Sequence, residues 1–451
     1  MPQNLKMRIH AHFDDFKKIA DSCPSDAHLT SIDAKANEYN TAKYILMNDI
    51  VCPSDYDSAG AFYGVLDGNG YTMKNLSKPL FITIASATVK NLGLEINYTI
   101  DSDLNEFYYG AIAQSVNVWN NANGVYIDNC FVKGNVDITC RTGWFGGFIG
   151  KGKKLKISNS YNESDIYATT ILDCYMGGLS GDGALIENCF NNGNLTALTT
   201  CDHAWSPTGV YVRVGGLQGN QSGDKIIDSY NSGDISVETP VGCRVYTGGI
   251  LGYNYTGGRV ENCYNVGYVT QDWTWEYDLT DDSYGSTFSP SYYAGGIIGY
   301  SGQSITVTRC WNGGNVVGEH FVGGIAGALI SKDTEAITDC YNSAQISAVI
   351  NAGGILGKEF GLVRIARCYN SGEVVNATNC GAIAGSLQNS DSSIQSCYYI
   401  DNGLSATGIG VTMSGATMVT EAQMKVRDTF EDFDFFNIWR LKADDPSPTL
   451  Q

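Results

Sequence analysis

Residues 350–374, INAGGILGKEFGLVRIARCYNSGEV, decide the fold. A Gly-Gly-Ile-x-Gly element is followed by a run rich in β-branched residues and then by Cys-Tyr-Asn-x-Gly, and versions of this order recur along the chain. Aligned on the Cys-aromatic element they fall at Cys130, Ser160, Cys189, Ser229, Cys263, Cys310, Cys340, Cys368 and Cys397, with spacings of 30, 29, 40, 34, 47, 30, 28 and 29 residues. A unit near 29 residues that accepts insertions of variable size marks a solenoid.

Each unit holds three short β-type runs, such as AGGILG, VRIARCY and GEVVNA, separated by Gly or Asn, with no helical periodicity between them. Three strands per turn stacked in parallel make a β-helix. The expected fold is all-β: a single-domain, right-handed parallel β-helix of about 10 turns with short helical caps. Turns stack about 4.8 Å apart, so each side chain meets its counterpart in the next turn and the same residue type recurs in a column. Gly is expected at corners that need positive φ, and the Asn after each aromatic can bond its own backbone at a corner.

Seven of the 14 cysteines share one column, and Ser160 and Ser229 stand in the same column. A disulfide ladder would not tolerate serine at scattered turns, so these thiols are expected free and buried. Close Cys-x2-Cys pairs are absent and there are five histidines, so neither a metal nor a cofactor is expected. The aromatics that follow, from Phe131 through Trp311 to Tyr369, read as a structural stack rather than a sugar platform.

Composition removes several classes. With 47 acidic and 28 basic residues, the net charge of −19 opposes a phosphate backbone and argues against nucleic acid as a partner. No apolar run reaches the length of a membrane span, so no membrane insertion is expected. The opening MPQNLKMRIHAHFDDFKKIA lacks the apolar core of a signal peptide, which fits either an intracellular chain or a mature form carrying an added Met.

Solenoid ends need covers. HFDDFKKIADSC places Phe13, Phe16, Ile19 and Ala20 on one face of a short amphipathic helix, and TEAQMKVRDTFED carries Thr420 and Gln423 as a capping box before a closing strand, NIWRL. The expected division is an N-terminal cap with helix and first strand over 1–50, repeats over 51–410 and a C-terminal cap of helix plus closing strand over 411–451.

GGFIG, GGLSG, GGLQG, GGILG, GGIIG, GGIAG and GGILG resemble the GLUG motif repeat of bacterial surface and secreted proteins, among them adhesins and regions accompanying IgA-cleaving peptidases. YILMNDI, GVLDGNGYTMKNL and ATVKNLGLEI are similar to the opening turns of such proteins, and IWRLKADDPSPTL to their closing segment. The resemblance implies a β-solenoid that is secreted or held at the cell surface. It brings no catalytic motif with it.

Function is then sought where the repeat varies. The residue just before each Gly pair is mostly apolar or small and is expected inside; alternation puts the residues two and four places before the pair outside. The former column reads Tyr108, Trp144, Tyr175, Arg213, Tyr246, Tyr293, Phe321, Asn351 and Asn379, and the latter includes Glu106, Asp173, Tyr211, Arg244 and Glu319. This requires the Gly pair to make a corner. Long insertions beside the column bring His203, Trp205, Trp273, Trp275 and several acids, and loops on a rigid scaffold are where binding residues concentrate.

Exposed aromatics interleaved with Asp, Arg and Asn suit an oligosaccharide or glycoconjugate, and an extracellular glycan-binding protein is the first reading. The ligand-binding candidates are Trp144, Tyr175, His203, Trp205, Tyr211, Arg213, Arg244, Tyr246, Trp273, Trp275, Tyr293, Glu319 and Phe321. A carbohydrate-active enzyme in the same groove is the alternative. A glycoside hydrolase needs two carboxylates about 5 to 9.5 Å apart. Glu106 and Asp173, two turns apart in one column, would be separated by about 10 Å, and Asp202, Glu276 and Asp278 are further candidates. A lyase would use His203 or a tyrosine as base, with Arg213 or Arg244 neutralising a uronate. Asp278, Asp281 and Asp282 match no defined calcium loop. Arg213 and Arg244, in consecutive turns, call for an anionic partner: Asp202, Glu238, Asp272 or an acidic group on the ligand. Ile355→Ala is expected to cost about 2 to 5 kcal/mol and Tyr293→Ala little.

Overall fold

The computed structural model describes residues 6–9, 41–117, 123–200, 209–221, 225–240, 242–273, 291–330, 335–400, 403–410 and 415–451. The amphipathic segment Phe13–Ala20 lies outside them.

The chain is a parallel β-helix. One turn runs through Arg244–Gly248 in a nine-stranded sheet (sheet C), Leu251–Asn254 and Gly258–Glu261 in a 23-stranded sheet (sheet A), and Tyr264–Asn265 and Val269–Trp273 in a third (sheet B). The next turn repeats it in register: Tyr246 pairs with Tyr293, Leu251 with Ile298, Val260 with Val307, Tyr264 with Trp311 and Val269 with Val316. Among the described residues the antiparallel exception is Trp439–Arg440 against Thr449–Leu450.

The interior is built of columns. Cys130, Cys189, Cys263, Cys310, Cys340, Cys368 and Cys397 are buried free thiols. Each points its sulfur at the carbonyl two residues back, as Cys263 Sγ does at 3.2 Å from Glu261 O. Ser229 Oγ makes the same bond to Ile227 O at 2.7 Å, which is why serine and cysteine interchange in this column. Burial pushes the Cys130 and Cys189 thiols up to about 12, so they stay protonated.

Beside the thiols runs a ladder of asparagines with no solvent exposure. Asn191, Asn231, Asn265, Asn312 and Asn342 each donate Nδ2 to the carbonyl two residues on, at 2.7–2.8 Å. Each also donates to the Oδ1 of the asparagine in the next turn, at 2.8–3.0 Å. The second glycine of each pair makes room for this ladder. A Cβ on Gly249 would stand 2.4 Å from Asn265 Cγ and 2.0 Å from Gly296 O.

The corner before the thiol column needs a left-handed residue, and the sequence expectation of glycine there is corrected. Asn129, Asn159, Asn188, Asp228, Asn262, Arg309, Asp339 and Arg367 hold φ of 51–54°. Asn and Asp tolerate this region because their short side chains bond locally. At Arg309 and Arg367 the side chain reaches back to acids or amides of neighbouring turns: Arg309 to Glu261 and Asn262, Arg367 to Asp339.

On the outside of sheet B, Phe131, Tyr161, Phe190, Tyr230, Tyr264, Trp311, Tyr341 and Tyr369 stack with centroids 4.7–5.6 Å apart and planes within 11°. The C-terminal segment lies along this stack. Thr420 and Gln423 do form the capping box, Thr420 N donating to Gln423 Oε1 at 2.8 Å and Gln423 N to Thr420 Oγ1 at 3.2 Å. The helix that follows is two short 3-10 turns, Gln423–Lys425 and Arg427–Thr429. Phe430, Phe433 and Trp439 then pack over Tyr341, Tyr369 and Tyr398, and Trp439 Nε1 donates to Asp339 Oδ1 at 3.3 Å.

Candidate functional site

The Gly pair does make a corner: Tyr246 before it belongs to an outer cluster, while Ile250 after it belongs to the main core. The corner is sharp because the third glycine of Gly-Gly-Ile-x-Gly permits it. A Cβ on Gly252 would lie 2.8 Å from Val214 N and O. The outer faces of sheets A and C therefore converge, and two exterior columns lean into each other.

The sheet C column is a continuous stack. Tyr108, Trp144 and Tyr175 follow at 5.1 and 4.8 Å. The Arg213 guanidinium is the next rung, 5.1 Å from Tyr175 and 5.8 Å from Tyr246. Tyr246, Tyr293 and Phe321 continue at 5.4 and 5.2 Å. The expectation that this column is exposed is corrected: Trp144, Tyr175, Tyr246 and Tyr293 are only 7–9% exposed. Their faces are taken by one another and their edges by the facing column.

That facing column, on sheet A, is the residue immediately after the third glycine: Lys151, Asp182, Asn220, Tyr253, Tyr300, Ala328 and Lys358, in register from turn to turn. Lys151 Nζ sits 4.0 Å from the Trp144 centroid and Lys358 Nζ 4.7 Å from that of Phe321. Tyr253 lies 4.1 Å from the Arg213 guanidinium and 4.9 Å from Tyr246, and Tyr300 lies 4.8 Å from Tyr293. These residues went unselected in the sequence, although the same alignment extended one position would have displayed them as a variable column.

Polar groups interlock at the centre. Arg213 Nη1 donates to Asn220 Oδ1 at 2.9 Å, and Asn220 Nδ2 donates to Asp182 Oδ1 at 2.9 Å. Burial raises the Asp182 carboxyl to about 6, against the pull of the Asn220 bond and of Lys151, Arg213 and Lys153. Asp173 accepts from Tyr211 N at 2.8 Å and from Tyr175 OH at 3.0 Å, and burial holds its carboxyl above the usual range despite those bonds and Arg213. Arg244 Nη1 donates to Tyr211 OH at 2.7 Å.

Other candidates scatter. Glu106 is exposed and accepts a bond from Tyr108 OH. Glu106 and Asp173 fall two strands apart, flanking Phe107–Tyr109 and Cys174–Gly177. Glu319 is buried, its carboxyl raised first by burial and then by Asp272. Glu238 and Asp272 are neighbours on sheet B, and neither bonds Arg213 or Arg244 among the described contacts. Trp273 ends a sheet B strand, and nothing is described of its side chain. Asp202, His203, Trp205, Trp275, Glu276, Asp278, Asp281 and Asp282 lie outside the described residues. A separate shallow groove of about 350 Å³ on sheet B, lined by Asn97, Asn135, Asp137, Asp165, Tyr167 and Thr196, shares no residue with the corner.

Comparison with known proteins places a GLUG motif at residues 244–270, the turn that carries Arg244, Tyr246 and Tyr253. The chain is 30% identical over 185 residues to an immunoglobulin A1 protease of Streptococcus sanguinis, a match covering 39% of this chain and 9% of that protein's length. It also aligns with a crystal structure described as a "putative immunoglobulin A1 protease" from Bacteroides ovatus, at 14% identity over 99% of this chain and 91% of that one, with a TM-score of 0.29.

Proposed function

We propose that this GLUG-bearing β-helix is a secreted or cell-surface protein that binds an oligosaccharide along the corner where sheets A and C converge. One observation carries the reading: outside the uniform core lie two facing columns that vary from turn to turn and combine aromatic rings with Arg, Asn and Asp. Such a mixture matches a pyranose, whose apolar face takes a ring and whose hydroxyls take the polar groups. The ring surface on offer is that of the half-buried Tyr211, Tyr253, Tyr300 and Phe321 and the exposed Phe360, since the deeper rings are stacked. The likeness to an immunoglobulin A1 protease involves 9% of that protein and supports a shared repeat scaffold, with no protease chemistry carried over.

A second reading has its own observation in favour. Asp182, with its carboxyl raised to about 6, is suited to donate a proton to a glycosidic oxygen, as a hydrolase acid does. An oligosaccharide array combined with a reducing-end release assay tests both. Binding without release, lost in Tyr300→Ala and Tyr253→Ala, supports the first. Release abolished by Asp182→Asn turns the site into an active site, and an array without hits removes the carbohydrate reading.

A further inference from the structure

We propose that the ligand of this corner is an acidic polysaccharide, read by a row of four cations, Lys151, Arg213, Arg244 and Lys358, that rest on aromatic rings in place of protein carboxylates. This rests on the carbohydrate reading and specifies its chemical class.

Among the described residues eight other basic side chains form ion pairs with acids, among them Lys74 with Asp49, Lys156 with Glu187 and Arg367 with Asp339, while Arg427 lies over Phe435 and Phe436 in the C-terminal segment. The chain carries 47 acidic against 28 basic residues, so an acid is the commonest charged neighbour a cation could have. Yet among the described residues none of the four corner cations has a carboxylate within ion-pair distance. Each lies over rings: Lys151 over Trp144 and Tyr108, Arg213 over Tyr253, Tyr211 and Tyr175, Arg244 over Tyr211, Lys358 over Phe321 and Phe360. A ring face holds a cation in place without neutralising it. The four charges therefore remain available to an anion from outside.

The four are spread along both sides of the corner: Lys151 and Lys358 in the sheet A column, Arg213 in the facing sheet C column and Arg244 beside Tyr211 on the same sheet. Lys151 stands on Ile149–Ser158 and Lys358 on Leu356–Glu359, six strand steps apart through the in-register column, or about 29 Å at the usual spacing. A strip of separated charges with tyrosines between them fits a chain whose acidic groups recur, each flanked by hydroxyls. Polyphosphate backbones fit poorly, because the net charge of −19 repels them beyond this strip.

Among the described residues three carboxylates face the row: Glu106 held by Tyr108 OH, Asp173 held by Tyr211 and Tyr175, and Asp182 held by Asn220. Asp173 and Asp182 compete with an incoming anion while ionised. Burial raises both, Asp182 to about 6, so mild acid removes the Asp182 competitor while a uronate or sialate stays ionised. Affinity should rise as pH falls from 7 towards about 5.

The test is an array of uronate-bearing, sialate-bearing and neutral oligosaccharides, followed by titration of the best hit against full-length protein and against Arg213→Gln, Arg244→Gln and Lys358→Gln. Arg244 is exposed and bonds Tyr211 OH alone among the described contacts, so Arg244→Gln should keep the fold. Acidic hits are expected, weakened about tenfold by each substitution and weakened by salt, with the carboxyl-methylated form of the same sugar bound no better than the variants bind the acid. If hits are neutral sugars, or the methyl ester binds as well as the acid, the acidic class is wrong while carbohydrate binding stands. If single-stranded DNA of equal charge binds as tightly as the acidic sugar, a general polyanion surface replaces the proposal. An array with no hits sinks both readings.

Discussion

Truncating one rung of the buried asparagine ladder, Asn265→Ala, should be among the most damaging single changes in the chain. Asn265 donates to Gly267 O at 2.8 Å and Asn312 Oδ1 at 3.0 Å, and accepts from Asn231 Nδ2 at 2.8 Å. Alanine leaves three polar atoms without that partner where solvent does not reach. Each such orphan costs about 1–3 kcal/mol. Asn231 Nδ2 keeps its bond to Gly233 O, so its loss is the smallest. The sum is about 3–6 kcal/mol. An internal control exists in Asn192, an exposed asparagine whose side chain accepts a bond from Ser232 Oγ; Asn192→Ala should change stability by no more than about 0.5 kcal/mol. Urea unfolding followed by far-UV circular dichroism compares the two midpoints. Equal midpoints would refute the ladder as a stabilising element. A companion experiment sharpens the reasoning: Gly249→Ala should not be rescued by Asn265→Ala, because the added methyl still meets the Gly296 carbonyl at 2.0 Å. Rescue would show the glycine serving the asparagine alone.

Two further outcomes follow from the corner. Tyr293→Ala should cost about 3 kcal/mol, comparable with Ile355→Ala at about 2–5 kcal/mol, because Tyr293 is wedged among Tyr246, Tyr300, Phe321 and Phe360; a loss under 1 kcal/mol in the same urea assay would mean the column is open to solvent. Asp182 has its carboxyl raised from 3.8 to about 6, so between about pH 4 and 6 the native chain holds a proton that the unfolded chain has released. Its contribution is fully present below about pH 4 and is lost as pH rises through 6, a change of about 3 kcal/mol. Asp182→Asn should therefore match the parent at pH 4 and exceed it in midpoint at pH 8. An unchanged difference between the two pH values would contradict the assignment.

The interior was readable from the chain because stacking copies it. Asn265 and Gly249 each meet the same residue type above and below, and Cys263 meets Cys310 on one side and the like-sized Ser229 on the other, so a column in the alignment is a column in space. Ser229 and Ser160, exceptions in one such column, even revealed the thiols as unpaired. What alternation alone does not carry is the angle between sheets. Trp144 and Tyr246 do point away from the core, as their position implies, but exposure depends on whether a second sheet leans over them. Gly252, by allowing the strand to approach Val214, closes that angle. The partners of Arg213 are hidden for the same reason: Asn220 and Tyr253 come from the far side of the corner, which the alternation within one strand does not reveal. The left-handed corner was misassigned to glycine because Arg309 and Arg367 look nothing like turn residues, and only their bonds to Glu261, Asn262 and Asp339 make that conformation affordable.

The C-terminal segment has a mechanical consequence. A pull applied at residue 451 does not act first on the last strand of the solenoid, Ala416–Val419. It acts on the Trp439–Arg440 and Thr449–Leu450 pair and on the rings of Phe430, Phe433 and Trp439, which grip three successive rungs at Tyr341, Tyr369 and Tyr398. Load is thus shared by several turns before any strand can be unzipped from the stack. The segment works as a fuse: it must be stripped from the side of the rod before tension reaches the hydrogen-bonded end, and once stripped it leaves length to extend while the turns beneath stay closed.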